Sequence, residues 1–319
     1  MKWFSMFSGI GGFDLALTNL GHEIVGACEI DKYARSVYGK HFPEVRIWND
    51  ATKINIDELP EFDGICGGFP CQAFSIAGKR GGFEDTRGTL FFEVARIASV
   101  KRPRIIFLEN VKGLLNHDKG NTFETILKTL DELGYHVEWG LLNSKHFIPQ
   151  SRERVYIIGY NREVCGEQIF SFTEGCGILE QKEHREQKKW QGVRCEVSTI
   201  DARYGALRNA GETYLIAYSS SGRSWGRESR MKINEANTLN CGDGCRNQST
   251  VNVISDNEQI RKLTPKECER LQTFRDDWTL GQSDTQRYRQ IGNAVTVKVI
   301  GFIAKHISGN VNDKGVSDT

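Results

Sequence analysis

Apolar and polar positions in the first 160 residues switch repeatedly between two periods. Short apolar runs of strand length stand at "WFSMF" (3–7), "EIVGACEI" (23–30), "FDGICGG" (62–68), "RIIFLEN" (104–110), "YHVEWGLLN" (135–143) and "RVYIIGY" (154–160). Between them lie stretches with helical spacing: "FDLALTNLG" (13–21), "DKYARSVYGKHF" (31–42), "TLFFEVARIASV" (89–100) and "NTFETILKTLDELG" (121–134). Asp31 is an N-cap residue type at a helix start, and Gly21 is a stop. Strands alternating with helices predict an α/β fold with a doubly wound, mostly parallel sheet.

The alternation breaks after about residue 165. Residues 165–255 hold few long periodic runs and are rich in Gly, Ser, Asn and Arg with scattered aromatics, which predicts a smaller irregular domain or a long insertion. Periodicity returns in "LTPKECERLQTF" (263–274), whose Thr-Pro opening and Glu267 read as a capped helix start, and in the amphipathic "VTVKVIGFIAKHI" (295–307). The expected division is a catalytic and cofactor-binding domain at 1–164 plus 288–319, and a small domain at 165–287 whose variable part is about 165–255.

Length and composition narrow the class. The 319 residues suffice for a sizeable core, and the charged fraction of 26% is that of an ordinary globular protein. No apolar stretch approaches the ~20 residues of a membrane span. The opening "MKWFSMFSGIGG" is interrupted by glycine too early for a secretory signal, so a cytoplasmic location is expected. Nine cysteines, an odd number, argue against a disulfide framework, and neither C-x-x-C nor H-E-x-x-H occurs, so no metal is expected.

In open α/β sheets ligands bind at the carboxyl ends of the strands. The first such end is "FSGIGG", Phe7 to Gly12. Its glycines permit a tight turn and close approach to a ligand, although the spacing departs from the dinucleotide fingerprint G-x-G-x-x-G. Glu29, about twenty residues on, stands where an acid bonds ribose hydroxyls, and Asp50 follows a third strand end. No loop combines glycines with a phosphate-cradling lysine, so a nucleoside cofactor without pyrophosphate fits best.

"FDGICGGFPCQAFS" (62–75) places Cys71 directly after a proline at the lip of an apolar strand. Its residues alone leave four readings open: a core thiol, half of a disulfide, a metal ligand or a nucleophile. The wider pattern carries more. "FSGIGG", "GGFPCQAFS", "LENV", "PQSRERVYIIG" and "QIGNAV" follow one another, from Phe7 to Val295, in the order and spacing of the DNA cytosine-5 methyltransferases. The chain resembles the short bacterial and phage members of that family.

The resemblance implies the roles. Cys71 is the nucleophile that adds to C6 of cytosine and activates C5, and the fixed φ of Pro70 aims it. Glu109 donates to N3, which requires a carboxyl whose pKa is raised in a partly dry pocket. Arg154 contacts the base at O2, and Arg152 is a neighbouring phosphate or scaffold contact. S-adenosyl-L-methionine is the methyl donor and S-adenosyl-L-homocysteine the product. Its contacts are implied at Phe7, Gly9, Ile10, Gly11, Gly12, Glu29, Ile30, Asp50, Ala51, Gly68, Pro70, Leu90, Asn293 and Ala294. The target base must leave the duplex stack to react.

DNA contacts are expected from two regions. Residues 76–88, rich in glycine, carry Lys79, Arg80 and Arg87 and read as a loop able to close over phosphates, with Gln72 beside the nucleophile. The segment 185–232 holds ten Lys or Arg against five Asp or Glu, although the whole chain has a formal charge of only +1. In the family this region reads sequence, which implicates Arg203, Arg208, Arg223, Arg227 and Arg230. Duplex DNA is the expected partner of a monomer, with any cognate restriction enzyme outside a permanent complex and a restriction–modification or phage self-protection role. Three rivals compete: a nicotinamide-dependent oxidoreductase with a catalytic thiol, the RNA-methylating branch of the same family, and a non-catalytic DNA-binding relative.

Overall fold

The computed structural model describes residues 1–70, 90–165, 214–217, 232–233, 236–237, 252–256 and 259–312. The first half runs β1 (Lys2–Met6), α1 (Gly12–Thr18), β2 (Glu23–Cys28), α2 (Lys32–His41), β3 (Ile47–Trp48), β4 (Gly64–Gly68), α3 (Leu90–Lys101), β5 (Ile105–Val111), α4 (Asn121–Glu132), β6 (Tyr135–Asn143), β7 (Gln150–Ser151), β8 (Glu153–Asn161) and α5 (Arg162–Cys165). The described remainder contains β9 (Tyr214–Ala217), β10 (Lys232–Ile233), β11 (Ala236–Asn237), β12 (Asn252–Asp256), β13 (Gln259–Lys262), α6 (Pro265–Leu271), α7 (Asp284–Asn293) and α8 (Val297–Asn312).

Seven strands form one sheet in the order β3-β2-β1-β4-β5-β8-β6. The five from β3 to β5 pair in parallel, and β8 alone runs antiparallel to both its neighbours, β5 and β6. The fold class expected from the alternation is therefore present. Side chains alternate across the sheet, and both faces are buried. Ile105 and Phe107 of β5 join Phe13, Leu17 and Ile303 in one core, while Ile106 and Leu108 join Val94, Ile126 and Leu130 in the other.

Strand order reverses between β1 and β4, and this switch point is where such sheets open a ligand crevice. The two strands approach closely because β4 carries little side chain. A Cβ on Gly67 would lie 2.0 Å from the carbonyl oxygen of Met6. β1 stops one residue earlier than expected because Phe7 turns to φ 53°, a left-handed value uncommon for a non-glycine residue.

The helix caps anticipated from sequence form. Asp31 accepts hydrogen bonds from the Tyr33 and Ala34 backbone N–H groups, and Thr264 and Glu267 make a reciprocal capping box with Pro265 in the first turn. α7 has no counterpart in the apolar pattern. Its buried positions are Arg287, Gln290, Ile291 and Gly292, so its inward face is mostly polar and gives no hydrophobic period. The region after residue 165 reads as irregular, yet its described pieces include a four-stranded antiparallel sheet in the order β10-β9-β12-β13. These strands span two to five residues, too few for an alternation to register. A separate parallel pair joins β11 to β7, just before Arg152.

Candidate active site

A cavity of about 420 Å³ opens at the switch point, a volume within the ~300–1,000 Å³ usual for small-molecule sites. The carboxyl ends of β1, β2, β4 and β5 and the turn between α7 and α8 line it. Of the expected cofactor contacts, Phe7, Gly9, Ile10, Gly12, Glu29, Ile30, Asp50, Ala51, Gly68, Pro70, Leu90, Asn293 and Ala294 are in its wall. Gly11 is not. It takes φ 87° at the start of α1, and a Cβ there would stand 2.5 Å from the Phe42 ring, so the close packing of Phe42 and α2 requires a glycine at this position.

Glu29 organises the first half of the cavity. One carboxylate oxygen accepts from the Gly9 N–H at 2.8 Å and the other from the Asp31 N–H at 2.7 Å. Burial raises its pKa, against the pull of those two hydrogen bonds. Each oxygen retains a second lone pair for a ligand hydroxyl. Phe7, half-buried, and Ile30, 73% exposed, supply apolar surface in the same wall. Asp50 caps a short turn by accepting from the Thr52 N–H and hydroxyl.

The second half gathers charge. Glu109 lies at the end of β5, in register with Gly68 of β4 and Tyr156 of β8. Arg154 Nε donates to Glu109 Oε1 at 3.0 Å, with side chains 14% and 10% exposed. Burial raises the Glu109 carboxyl above its usual value; Arg154 and then Arg152 oppose the shift without cancelling it. Arg152, 3% exposed, donates from Nη1 to the Gly292 carbonyl at 3.1 Å and from Nη2 to the Ala294 carbonyl at 2.8 Å. Burial first, and the neighbouring Arg154 second, lower its pKa to about 10, which leaves it a cation at neutral pH. The two arginines thus diverge: Arg154 faces Glu109, and Arg152 ties β8 to the turn before α8.

Several residues that the sequence pattern does not single out line this wall or brace it from behind. Asn110 donates to the Phe69 carbonyl at 2.8 Å and so fixes the backbone leading to Pro70. Asp14, wholly buried in α1, accepts from Ser5 Oγ at 2.9 Å and from the Tyr38 hydroxyl at 2.6 Å and so ties α1 to β1 and α2. Gln290 lines the cavity at 5% exposure with neither amide atom hydrogen-bonded among the described residues, and exposed Arg289 stands next to it. Asn110 and Gln290 sit inside the motifs "LENV" and "QIGNAV" without standing out there, whereas Asp14 and Arg289 lie outside every motif of that set. Cys71, Gln72, Lys79, Arg80, Arg87, Arg203, Arg208, Arg223, Arg227 and Arg230 lie outside the described residues. Among the described residues, no group of three His, Cys, Asp or Glu could hold a metal ion, and no helix is long and apolar enough to cross a membrane.

The fold and the cavity together define an α/β enzyme with its ligand crevice at the sheet switch point and a buried Glu–Arg pair inside it. Comparison with known proteins gives the family. The C-5 cytosine-specific DNA methylase model matches residues 1–309, and the chain belongs to that family. It is 40% identical over 335 residues to the type II methyltransferase M.HpaII of Haemophilus parainfluenzae, covering 97% of this chain and 90% of that one. It is 36% identical to the type II methyltransferase M.HhaI of Haemophilus parahaemolyticus, covering 98% and 96%. Among solved structures, the S. pombe Dnmt2 methyltransferase shares the fold with TM-score 0.70 at 21% identity, covering 98% of this chain and 99% of that one. The protein is a DNA cytosine-5 methyltransferase.

Proposed function

We propose that the protein methylates C5 of a cytosine flipped out of a specific duplex DNA sequence, through a covalent adduct between Cys71 and C6. The observation that carries this reading is the buried Glu109–Arg154 pair in the same cavity as the Glu29-anchored glycine loop. One half suits a nucleoside cofactor and the other a polar base edge, at adjacent strand ends.

The cavity fits S-adenosyl-L-methionine on its own chemistry. Phe7 and Ile30 offer apolar surface for a purine, Glu29 offers acceptors for ribose hydroxyls, and no lysine-bearing phosphate cradle is present among the lining residues. The glycine spacing of the loop, which departs from the dinucleotide fingerprint, disfavours the nicotinamide-dependent rival. When bound, the group supplies an electrophilic methyl. Asn293 and Ala294 close the same cavity from the α7–α8 turn, whose carbonyls Arg152 holds.

The chain's own residues do the rest. The Cys71 thiolate forms a bond to C6, and the electron pair of the C5–C6 double bond moves to C5, into conjugation with the ring. Glu109, kept more readily protonated by burial, offers its proton or a hydrogen bond at N3. Arg154, fixed by Glu109, presents its remaining donors to O2. After C5 gains its methyl, a base takes the C5 proton, the double bond re-forms and Cys71 leaves as thiolate. Pro70 and the Asn110-bound Phe69 carbonyl fix the approach to Cys71.

Sequence reading is assigned to the region after residue 165, upstream of α6. Within the segment 263–287, Trp278 bonds to Ile10 of the glycine loop and Leu280 to Lys40 of α2, which ties it to the cofactor half of the cavity. Duplex DNA is the partner on this reading, and a restriction–modification or phage self-protection role follows from kinship with the type II enzymes. Bisulfite sequencing of DNA from cells expressing the protein tests it. Protected cytosines within one short sequence are expected. Methylation of tRNA and not of duplex DNA in vitro would move the protein to the RNA-modifying branch, and activity on neither substrate would leave the reading without support.

A further inference from the structure

The glycine loop has little conformational preference of its own. Phe7, Gly9 and Gly11 take φ values of 53°, 56° and 87°, and flexible glycines lose the most entropy when fixed. Hydrogen bonds must therefore hold its shape, from within the loop and from outside it. Glu29 takes the Gly9 N–H at 2.8 Å, and the Gly11 N–H closes on the Ser8 carbonyl at 2.8 Å. A third anchor comes from 268 residues downstream. The indole N–H of Trp278 donates to the Ile10 carbonyl at 2.8 Å, in a fully buried contact.

Trp278 is itself held on every side. It is 3% exposed in the core that includes Phe13 and Phe274. His41 stacks on its indole at 3.5 Å between ring centroids and 5° between planes, and donates from Nε2 to the Trp278 carbonyl at 2.7 Å. The next residue, Thr279, donates from its backbone to Glu269 Oε1 at 2.9 Å and accepts from Arg287 Nε at 2.9 Å, which ties the indole's position to α6 and α7. Trp278 does not line the cavity, whereas Ile10 does.

We propose that Trp278 is a positioning residue for the cofactor: its indole N–H fixes the Ile10 carbonyl and keeps the glycine loop in the shape that receives the nucleoside. The inference rests on the reading of this cavity as the S-adenosyl-L-methionine site. Its consequence is a preorganised pocket, so loss of the anchor is expressed as weaker cofactor binding. The chemistry in the other half of the cavity keeps its geometry, because Glu109 and Arg154 are held by β5 and β8.

Calorimetry with S-adenosyl-L-homocysteine and steady-state kinetics on the full chain test this. Trp278→Phe removes the donor and keeps an aromatic ring. Its cofactor Kd and KM are expected to rise about five- to tenfold, the size of one net hydrogen bond, with kcat at saturating cofactor and the Kd for duplex DNA within about twofold of the parent. Ile126→Val, on the opposite face of the sheet in α4, serves as a control for general loss of stability. An unchanged Kd in Trp278→Phe, or an equal rise in Ile126→Val, overturns the proposal. Should the phenylalanine variant be insoluble, the tryptophan analogue with sulfur in place of the indole N–H, installed at position 278, preserves the packing and removes only the donor. No cofactor binding by the parent protein would instead remove the reading of the cavity, a result distinct from a Trp278→Phe variant that binds like the parent.

Discussion

Arg154 Nε meets Glu109 Oε1 at 3.0 Å, yet Arg154 is paired in register with Val111, two residues beyond Glu109 on β5. The contact is therefore diagonal across an antiparallel pair, and it exists because β8 runs opposite to every other strand of the sheet. Reversing β8 brings the motif "QSRER" to the carboxyl end of β5 at the start of a strand rather than at its end. A carboxylate and a guanidinium then share a nearly dry site, where each limits what the other can do.

Glu109→Gln keeps the side chain's shape and removes its titration. Methyl transfer is expected to fall by about 10²–10⁴-fold, the usual worth of a positioned acid or base, while cofactor Kd changes little. Single-turnover rates and calorimetry measure the two effects. In the parent, burial raises the Glu109 pKa, so the protonated donor is lost as pH rises through that raised value. The rate should fall along that limb, and the limb should be missing from the glutamine variant. Equal losses in rate and cofactor affinity would mean the two halves of the cavity are wrongly divided.

Cys71→Ser should abolish methylation while much of the DNA affinity remains, because a hydroxyl is a far weaker nucleophile than a thiolate. DNA with 5-fluorocytosine at the target should trap a covalent adduct, since fluorine does not leave as the proton does. Peptide mapping of the adduct to another residue would falsify the assignment.

Glu29→Ala removes the acceptor of two backbone N–H groups and, on the proposed reading, a ribose contact. Its cofactor Kd should rise by about 10–100-fold, from two or more lost hydrogen bonds at about 1 kcal/mol each. Turnover at saturating cofactor should change much less. Calorimetry on the same preparation used for kinetics decides, and a Kd like the parent's would remove Glu29 from the site.

Asp14 is wholly buried, and burial raises its pKa to about 6 despite hydrogen bonds from Tyr38 and Ser5. The folded protein therefore holds this proton more tightly than the unfolded chain does. Its contribution to stability is fully present below the unfolded value near 3.8 and is lost as pH rises through about 6. Asp14→Asn cannot titrate. The stability difference between parent and variant should shift toward the variant by about 2–3 kcal/mol between pH 4 and 7, from the size of the pKa shift. Urea unfolding of both proteins across that range measures it, and a pH-independent difference would show that Asp14 does not titrate there.

Replacing residues 165–255 by the corresponding region of a relative with a different target should transfer that target. Single alanine substitutions at Arg203, Arg208, Arg223, Arg227 and Arg230 should separate into two groups. Phosphate contacts weaken all DNA binding and flatten its salt dependence, whereas a base contact relaxes one position of the methylated sequence at about 1–3 kcal/mol. Sequencing of methylated products from each variant distinguishes them. An unchanged target after the region swap would place the readout elsewhere.

The strand–helix alternation, the caps at Asp31 and Thr264 and the strand-end positions of Glu29 and Glu109 were legible in the chain, because each follows from local period or local hydrogen bonding. The motif order was equally legible and led to the family. α7 was not legible, since its inward face is Arg287, Gln290 and Gly292 and carries no apolar period. Nor was the division between the two arginines of "QSRER". Both alternate onto one face by period, but only packing decides that Arg152 holds the Gly292 and Ala294 carbonyls while Arg154 faces Glu109. Asp14 and Trp278 show the same limit. One is a polar residue in an apolar run, the other an aromatic in an irregular stretch, and their meaning lies in Tyr38 and Ile10, 24 and 268 residues away. The linear chain determined which elements form and which chemistry they carry to the strand ends, because those depend on neighbours in sequence. Tertiary structure alone decided which donor meets which acceptor, because hydrogen bonds between distant segments are fixed by the sheet order and by what burial leaves unsatisfied.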